Sequence, residues 1–357
     1  LKAIASASVF RQRFDDLPAN KTHAALRKLN TRLLAKRTFG RVDADGLKLV
    51  PVDMDVSPLD NSGSSKQGVS FTYKKHDGYA PMFAYVGTEG HMLDCELRPG
   101  KQHCQSDTPE AIRRSVAILR KLGLAGQCLF RLDSGNDAAE NLDLFGGNHF
   151  LVKRNLRKES REQWLALARR VGDKQECRDG KNVYTGFVGH LHPGGDESRP
   201  AVPAVFEVVE RLRDIHGYEL LIPEIEVNMW WTNLPCSAET AIGLYHDHGT
   251  SEQFHSELKS DLDVERLPSG KLCANKIILL CAMVAFNLLR TLGQEAIKRK
   301  AIAPQRINAK RWRLKTVLQN IIYCAVRLVR HAGATELHFG KRCPWFDVIR
   351  DIACSYA

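Results

Sequence analysis

LKLVPVDMDVSPLDNSG, Leu47 to Gly63, runs apolar and β-branched through Val52, then meets Asp53, Asp55 and Asp60 before closing on turn residues. The pattern is a strand whose far end carries carboxylates. Alternate residues of a strand share a face, so Asp53 and Asp55 project together. QCLFRLDSGNDAAENL, Gln127 to Leu142, repeats it: Cys128 to Leu132 runs into Asp133, and Ser134-Gly135 makes the turn.

A third acid lies in YHDHGTSEQFHSELKSDLDVERLPSG, Tyr245 to Gly270, which spaces Tyr245, His248, Glu252 and Lys259 as Y-x2-H-x3-E-x6-K. On a helix these four share roughly one face. Alone, such a segment reads as a solvated helix with i,i+4 charge pairs. Carboxylates at two strand ends, however, are placed to meet one on a helix. One to three convergent carboxylates, with water and phosphate oxygens, satisfy octahedral Mg²⁺. Two such ions about 4 Å apart serve phosphoryl transfer by activating the attacking oxygen and stabilising the leaving one.

Around these segments the periodicity predicts strands at Leu47–Val56, Val69–Tyr73, Met82–Val86 and Met92–Leu97, an amphipathic helix at Glu110–Leu122, and the strand Cys128–Leu132. The stretch from Asp133 to Glu252 is too long for one loop. It reads as a helix, Glu159–Val171, then strands Val183–Val188, Val202–Val209 and Tyr218–Asn228, closed by Trp230, Trp231, Thr232 and Asn233. Cys273–Leu292 reads as a buried helix and Arg311–His331 as a basic amphipathic one. The segment from Ser6 to Arg41 also has helical spacing. The class is mixed α/β (α+β).

The chain of 357 residues carries a net charge of +11, with basic clusters at Arg27–Arg41, Lys153–Arg161, Lys298–Lys300 and Arg306–Lys315. One cluster reads as a solvated helix face; several together point to a phosphate backbone. The ten cysteines form no C-x2-C pair, so a zinc site or dense disulfide framework is not expected. His246-Asp247-His248 does not suit one ion, because adjacent helical side chains diverge by about 100°. Lys101-Gln102-His103 reads as a loop, and no glycine pattern matches a nucleotide-binding loop. The longest apolar run, Ile277–Leu289, is short for a bilayer span, so no membrane partner is expected.

Taken in order, DMDVSPLDNSGSSKQG, DGYAPMFAYVGTEG, ELRPGKQHCQSDTPE, FRLDSGNDAAENL, WWTNL and YHDHGTSEQFHSELKSDL, between Asp53 and Asn287, resemble the DDE transposases of bacterial insertion sequences. The group is the one with a Tyr-Arg-Glu-Lys signature around its catalytic Glu. The resemblance implies an RNase H-like catalytic core with a mostly β insertion between the second Asp and the Glu. It places the catalytic, metal-binding acids on Asp55, Asp133 and Glu252, with Asp53 the alternative for the first. It implies two Mg²⁺ ions, which Mn²⁺ can replace, and cleavage at transposon ends followed by strand transfer into target DNA. Tyr245, His248 and Lys259 fall on DNA-contacting positions, although the family has Arg where His248 stands; Trp231 is a candidate to stack on a base, with core packing the alternative for at least one of Trp230 and Trp231. Arg offers a permanent planar fork to phosphate, and His a weaker, titrating donor.

The organisation expected is a helical linker or tail of an N-terminal DNA-binding region at 1–45, and the first part of the core at 46–150. The β insertion follows at 151–235, and the rest of the core with a basic helical C-terminal region at 236–357. Because the chain opens at Leu1, most of the family's N-terminal DNA-binding region is expected to be missing. Double-stranded DNA is the expected partner, with a homodimer holding two ends, in the bacterial cytoplasm at the nucleoid.

Overall fold

The computed structural model describes residues 6–306 and 308–356. Helices α1 (Ala7–Asp16) and α2 (Ala19–Leu34) precede β1 (Val42–Ala44), β2 (Leu47–Val56), β3 (Leu59–Asp60), β4 (Ser70–Phe71), β5 (Asp77–Tyr79), β6 (Met82–Val86), β7 (His91–Glu96) and α3 (Thr108–Lys121). Next come β8 (Cys128–Leu132), α4 (Ala139–Leu142), β9 (His149–Arg154), α5 (Arg161–Val171), β10 (Asp173–Arg178), β11 (Lys181–Leu191), β12 (Val202–Arg213) and β13 (Glu219–Thr232). The chain ends with α6 (Ala238–His246), α7 (Thr250–Ser256), α8 (Leu272–Lys298), α9 (Leu314–Val317), β14 (Val326–His331), β15 (Ala334–Phe339) and α10 (Phe346–Cys354).

One mixed sheet organises the molecule, in the order β7-β6-β2-β8-β9-β13-β12-β11-β10, with β1 paired to the start of β2. The strands β2, β6 and β7 form an antiparallel meander, while β8 and β9 run parallel to β2. From β9 outward every pairing is antiparallel.

The core strands are buried on both faces, as central strands under helices must be. Val52, Met54 and Val56 point to one face, packing with Phe130, Leu132 and Val152 beneath Ile112, Val116 and Leu119 of α3. Trp164, Leu165 and Ala168 of α5 cover the outer strands on that side. On the other face Phe83 and Tyr85 of β6 pack with Phe254 of α7 and with Leu279, Met283 and Phe286 of α8. Period two then sends Asp53 and Asp55, paired in register with Tyr85 and Phe83, to this second face.

Several elements differ from the sequence reading. The strand expected at Val69–Tyr73 shrinks to Ser70–Phe71. Trp230 to Thr232 continue β13 instead of closing it, because β9, not anticipated, offers them a partner edge. The helix expected over Arg311–His331 stops near Ile322, and its second half is the hairpin β14–β15. Ala332 and Gly333, both at positive φ, form the two-residue turn that a right-twisted hairpin favours. The buried helix is longer than its sequence signal: α8 has 27 residues and is long and apolar enough to cross a membrane by those measures alone. Its Asn275, Asn287 and Arg290 are buried and bonded to protein groups. Asn287 holds Met92 and Asn30 of α2, and Arg290 holds Glu257.

Candidate active site

A cleft of about 850 Å³ opens where β2 and β8 end. Its lining includes Asp55, Asp133, Glu252, Tyr245, His248 and Lys259, so six residues singled out in the sequence meet there. The register explains the aspartates: β2 and β8 pair in parallel with Met54 beside Leu132, so the next residues, Asp55 and Asp133, emerge as neighbours.

Burial, and then the charge of Asp55, push the Asp133 pKa up. The Asn136 amide donates to Asp133 Oδ1 at 2.5 Å. Burial also acts upward on Asp55, but bonding to His255 and the charges of His255 and His248 bring its pKa below the ordinary value. His255 Nε2 lies 3.3 Å from Asp55 Oδ2, and its Nδ1 lies 3.3 Å from the Tyr85 hydroxyl. An ionised carboxylate beside one that resists ionisation is a donor set that a hard divalent cation fits, since the cation relieves the repulsion. Among the described residues no three His, Cys, Asp or Glu side chains form a metal cage. Glu252, exposed on α7, thus lines the cleft without enclosing an ion between itself and the aspartates.

Asp53 is committed elsewhere. It is 3% exposed and accepts two parallel bonds from Arg131, Nε to Oδ1 at 2.6 Å and Nη2 to Oδ2 at 2.8 Å. His248 Nδ1 stands 2.9 Å from Oδ1 as well. Burial raises its pKa, but the Arg131 charge and the His248 bond outweigh this and hold it low. Arg131 Nη1 also donates to the Leu244 carbonyl, which ties the end of α6 to the sheet. Asp53 is absent from the cleft lining.

The helical wall is less regular than one continuous helix. A tight turn at Asp247–Gly249 follows α6, and a wider π turn, Glu257–Asp261, follows α7, while the backbone stays right-handed helical throughout. The motif spacing therefore still delivers Tyr245, His248, Glu252 and Lys259 to one cleft. Tyr245 packs on Trp230 and His248 with ring centroids 5.3 and 5.8 Å apart. At the π turn the fully buried Glu257 bonds both Arg290 and Arg311. Such turns recur at functional sites. Lys259 donates to the Pro58 carbonyl at 2.6 Å, and burial lowers its pKa.

Trp231 corrects an expectation. It is 2% exposed, its indole N–H donates to Asp137 at 2.9 Å, and Arg154 lies over its ring, so it is held in the sheet away from the cleft. Trp230, its neighbour, is the one that lines the cleft. His248 is buried, with one ring nitrogen turned to Asp53. Lys101, Gln102 and His103 lie outside the cleft. The sequence reading missed His255, Arg131, Tyr73 and the specific place of Lys153. His255 sits three residues beyond Glu252 on the same helix, and Lys153 stands on the unanticipated β9 within a recognised basic cluster.

The family model described as Transposase DDE domain group 1 matches residues 1–178 and 209–355. Among solved structures the chain is similar to a piggyBac transposase in a synaptic complex with hairpin DNA, at 12% identity and a TM-score of 0.40. That similarity covers 76% of this chain and 51% of the other, so the chain spans about half the length of that protein. No curated protein matches the chain. Matched over nearly its whole length by that family model, the chain belongs to the DDE transposases of group 1.

Proposed function

We propose that this chain is an insertion-sequence transposase of the bacterial group with the Tyr-Arg-Glu-Lys signature, with His248 in the Arg position. It cleaves double-stranded DNA at transposon ends and joins the freed 3′ ends to target DNA. The carrying observation is the meeting of Asp55, Asp133, Glu252 and Lys259 in one cleft, with Asp53 neutralised beneath it by Arg131. The strand order β7-β6-β2-β8-β9 supports an RNase H-like core, and β10–β13 support the reading of 151–235 as a β-rich insertion. The site of action is the nucleoid, in the cytoplasm.

In this reading Asp55 and Asp133 would hold Mg²⁺, or Mn²⁺ in its place, and Glu252 would contribute the third carboxylate of a two-ion site from the helical wall. When bound, such ions lower the pKa of the attacking water or 3′-hydroxyl and neutralise charge on the reacting phosphate. His255 orients the Asp55 carboxylate, and Tyr85 orients His255. Lys259 and Lys153 bring positive charge to the phosphate groups on either side. The Asp53–Arg131 pair fixes the floor and, through Leu244, the approach of α6. Tyr245 and His248 present a packed ring surface to the DNA.

The test is strand transfer of a labelled duplex carrying the element's terminal repeat into a target plasmid. Joined products dependent on the repeat support the proposal. Cutting of branched DNA without preference for the repeat would identify a structure-specific nuclease instead. DNA binding with no cleavage in either metal would identify an inactive remnant.

A further inference from the structure

The small sheet β3-β5-β4 carries a firmly built turn to the cleft. Thr72 anchors it: its N–H and its hydroxyl both donate to the His76 carbonyl, at 2.9 and 2.8 Å. The Lys75 N–H closes the turn on the Thr72 carbonyl at 3.0 Å, with Lys75 itself at positive φ. Below the turn the Lys101 N–H donates to the Ser70 hydroxyl, and the Leu59 carbonyl comes so close to Gly78 that a Cβ there would stand 2.0 Å from it. The two residues at the tip, Tyr73 and Lys74, both line the cleft.

Tyr73 is 63% exposed, and its hydroxyl donates to the carbonyl of Val56, the residue after Asp55, at 2.8 Å. Burial of that hydroxyl, then the charges of Asp55 and Asp133, push its pKa up. The ring is thus pinned by its polar end beside the acids, with most of its surface in water. The other large aromatic rings of the lining, Trp230 and Tyr245, pack on each other, and Trp230 is 2% exposed. Tyr73 is the one with a face left for a ligand. The acids it flanks are recessed, the Asp55 side chain being 23% exposed. A phosphodiester that reaches them draws its nucleotide out of the duplex, which costs stacking and pairing. An aromatic platform offsets part of that cost whatever the base, since every base has a π-face.

We infer that Tyr73 stacks on the unpaired base of the nucleotide beside the scissile phosphate, and that Lys74 pairs with an adjoining phosphate. The inference rests on the reading of this cleft as a DNA-cutting site and adds the residue that receives the extruded base. Stacking does not read sequence, so the same contact forms at the end of an unrelated duplex. Its readout is equilibrium binding, so it fails or stands separately from strand transfer at the terminal repeat.

The experiment is fluorescence anisotropy of labelled duplexes with the full chain, in Ca²⁺ so that no strand is cut. The last base pair of the terminal repeat is mismatched, and the terminal nucleotide of the cleaved strand is either intact or abasic. The wild type binds the intact end about tenfold or more tightly than the abasic one. Tyr73→Ala binds both ends alike, near the wild type's affinity for the abasic end, with unchanged far-UV circular dichroism. Tyr73→Phe lacks the bond to Val56 but keeps the ring, and it retains the preference for the base. Lys74→Ala weakens both ends equally. A wild type indifferent to the base, a Tyr73→Ala protein that still prefers it, or a Tyr73→Phe protein that loses it would each overturn the inference. A base preference kept on the terminal repeat and on unrelated ends, with no strand transfer of either, would overturn the insertion-sequence reading alone.

Discussion

Substituting Asp53 by Asn removes the charge that Arg131 was folded around. Both side chains are 3% exposed, and the two parallel bonds at 2.6 and 2.8 Å leave the guanidinium no access to water. Asn can accept through only one oxygen and carries no charge, so Arg131 is left buried and uncompensated. Breaking one side of a buried pair costs about 3–5 kcal/mol. Against a total stability of roughly 5–15 kcal/mol that is a large fraction. With a urea slope of about 3 kcal/mol/M, the unfolding midpoint drops by about 1–1.7 M. Asp55→Asn has the opposite expectation. It relieves the repulsion that helps raise the Asp133 pKa, so the midpoint holds or rises slightly. The assay is urea unfolding followed by tryptophan fluorescence. An Asp53→Asn protein as stable as wild type, together with an Asp55→Asn protein losing 3 kcal/mol or more, would refute the division of one structural and one site-facing aspartate.

Other outcomes follow from the same structure. Burial, then the charges of Arg290 and Arg37, push the His91 pKa down to about 3. The unfolded chain therefore takes up a proton below about pH 6.5 that the folded chain refuses, and stability falls with falling pH, by about 2 kcal/mol between pH 7 and pH 5. His91→Gln removes this component, and parallel urea-midpoint profiles for the two proteins would contradict it. Glu257→Gln leaves Arg290 and Arg311 facing each other without their shared carboxylate. A loss of about 3–5 kcal/mol is expected in the same assay, and an unchanged midpoint would exclude a supporting role for the π turn. Lys153→Ala weakens DNA binding across sequences and lowers the slope of log K against log salt by about 1. An unchanged slope would place Lys153 away from the phosphates.

The site was legible in the sequence where local chemistry and local structure agree. Apolar runs ending in Asp55 and Asp133 gave away strand ends, and the parallel register of β2 and β8 then brings the two acids together. Choosing between Asp53 and Asp55 lay beyond local pattern. The choice depends on Arg131, a residue 78 positions from Asp53 whose guanidinium reaches its carboxylate only across two paired strands. The strand β10 was hidden because all six of its residues, Asp173 to Arg178, are exposed, so no apolar alternation marks it. The hairpin β14–β15 was hidden because Trp312, Leu314 and Val317 start a helical period that Val326 and Leu328 prolong by chance. Trp231 misled because period two turns it to the face opposite Trp230, where it packs into the main core and bonds Asp137, a contact no local pattern shows.

The most direct measurement is nicking of supercoiled plasmid carrying the element's own ends, in Mg²⁺ and in Mn²⁺, by this chain and by its Glu252→Gln variant. Glu252 is exposed on α7, so the substitution leaves the fold intact. Metal-dependent nicking by the wild type, reduced at least about 100-fold in the variant, is the predicted result. Equal nicking by both proteins, or nicking by the wild type that persists in chelator, would contradict a carboxylate metal site in this cleft.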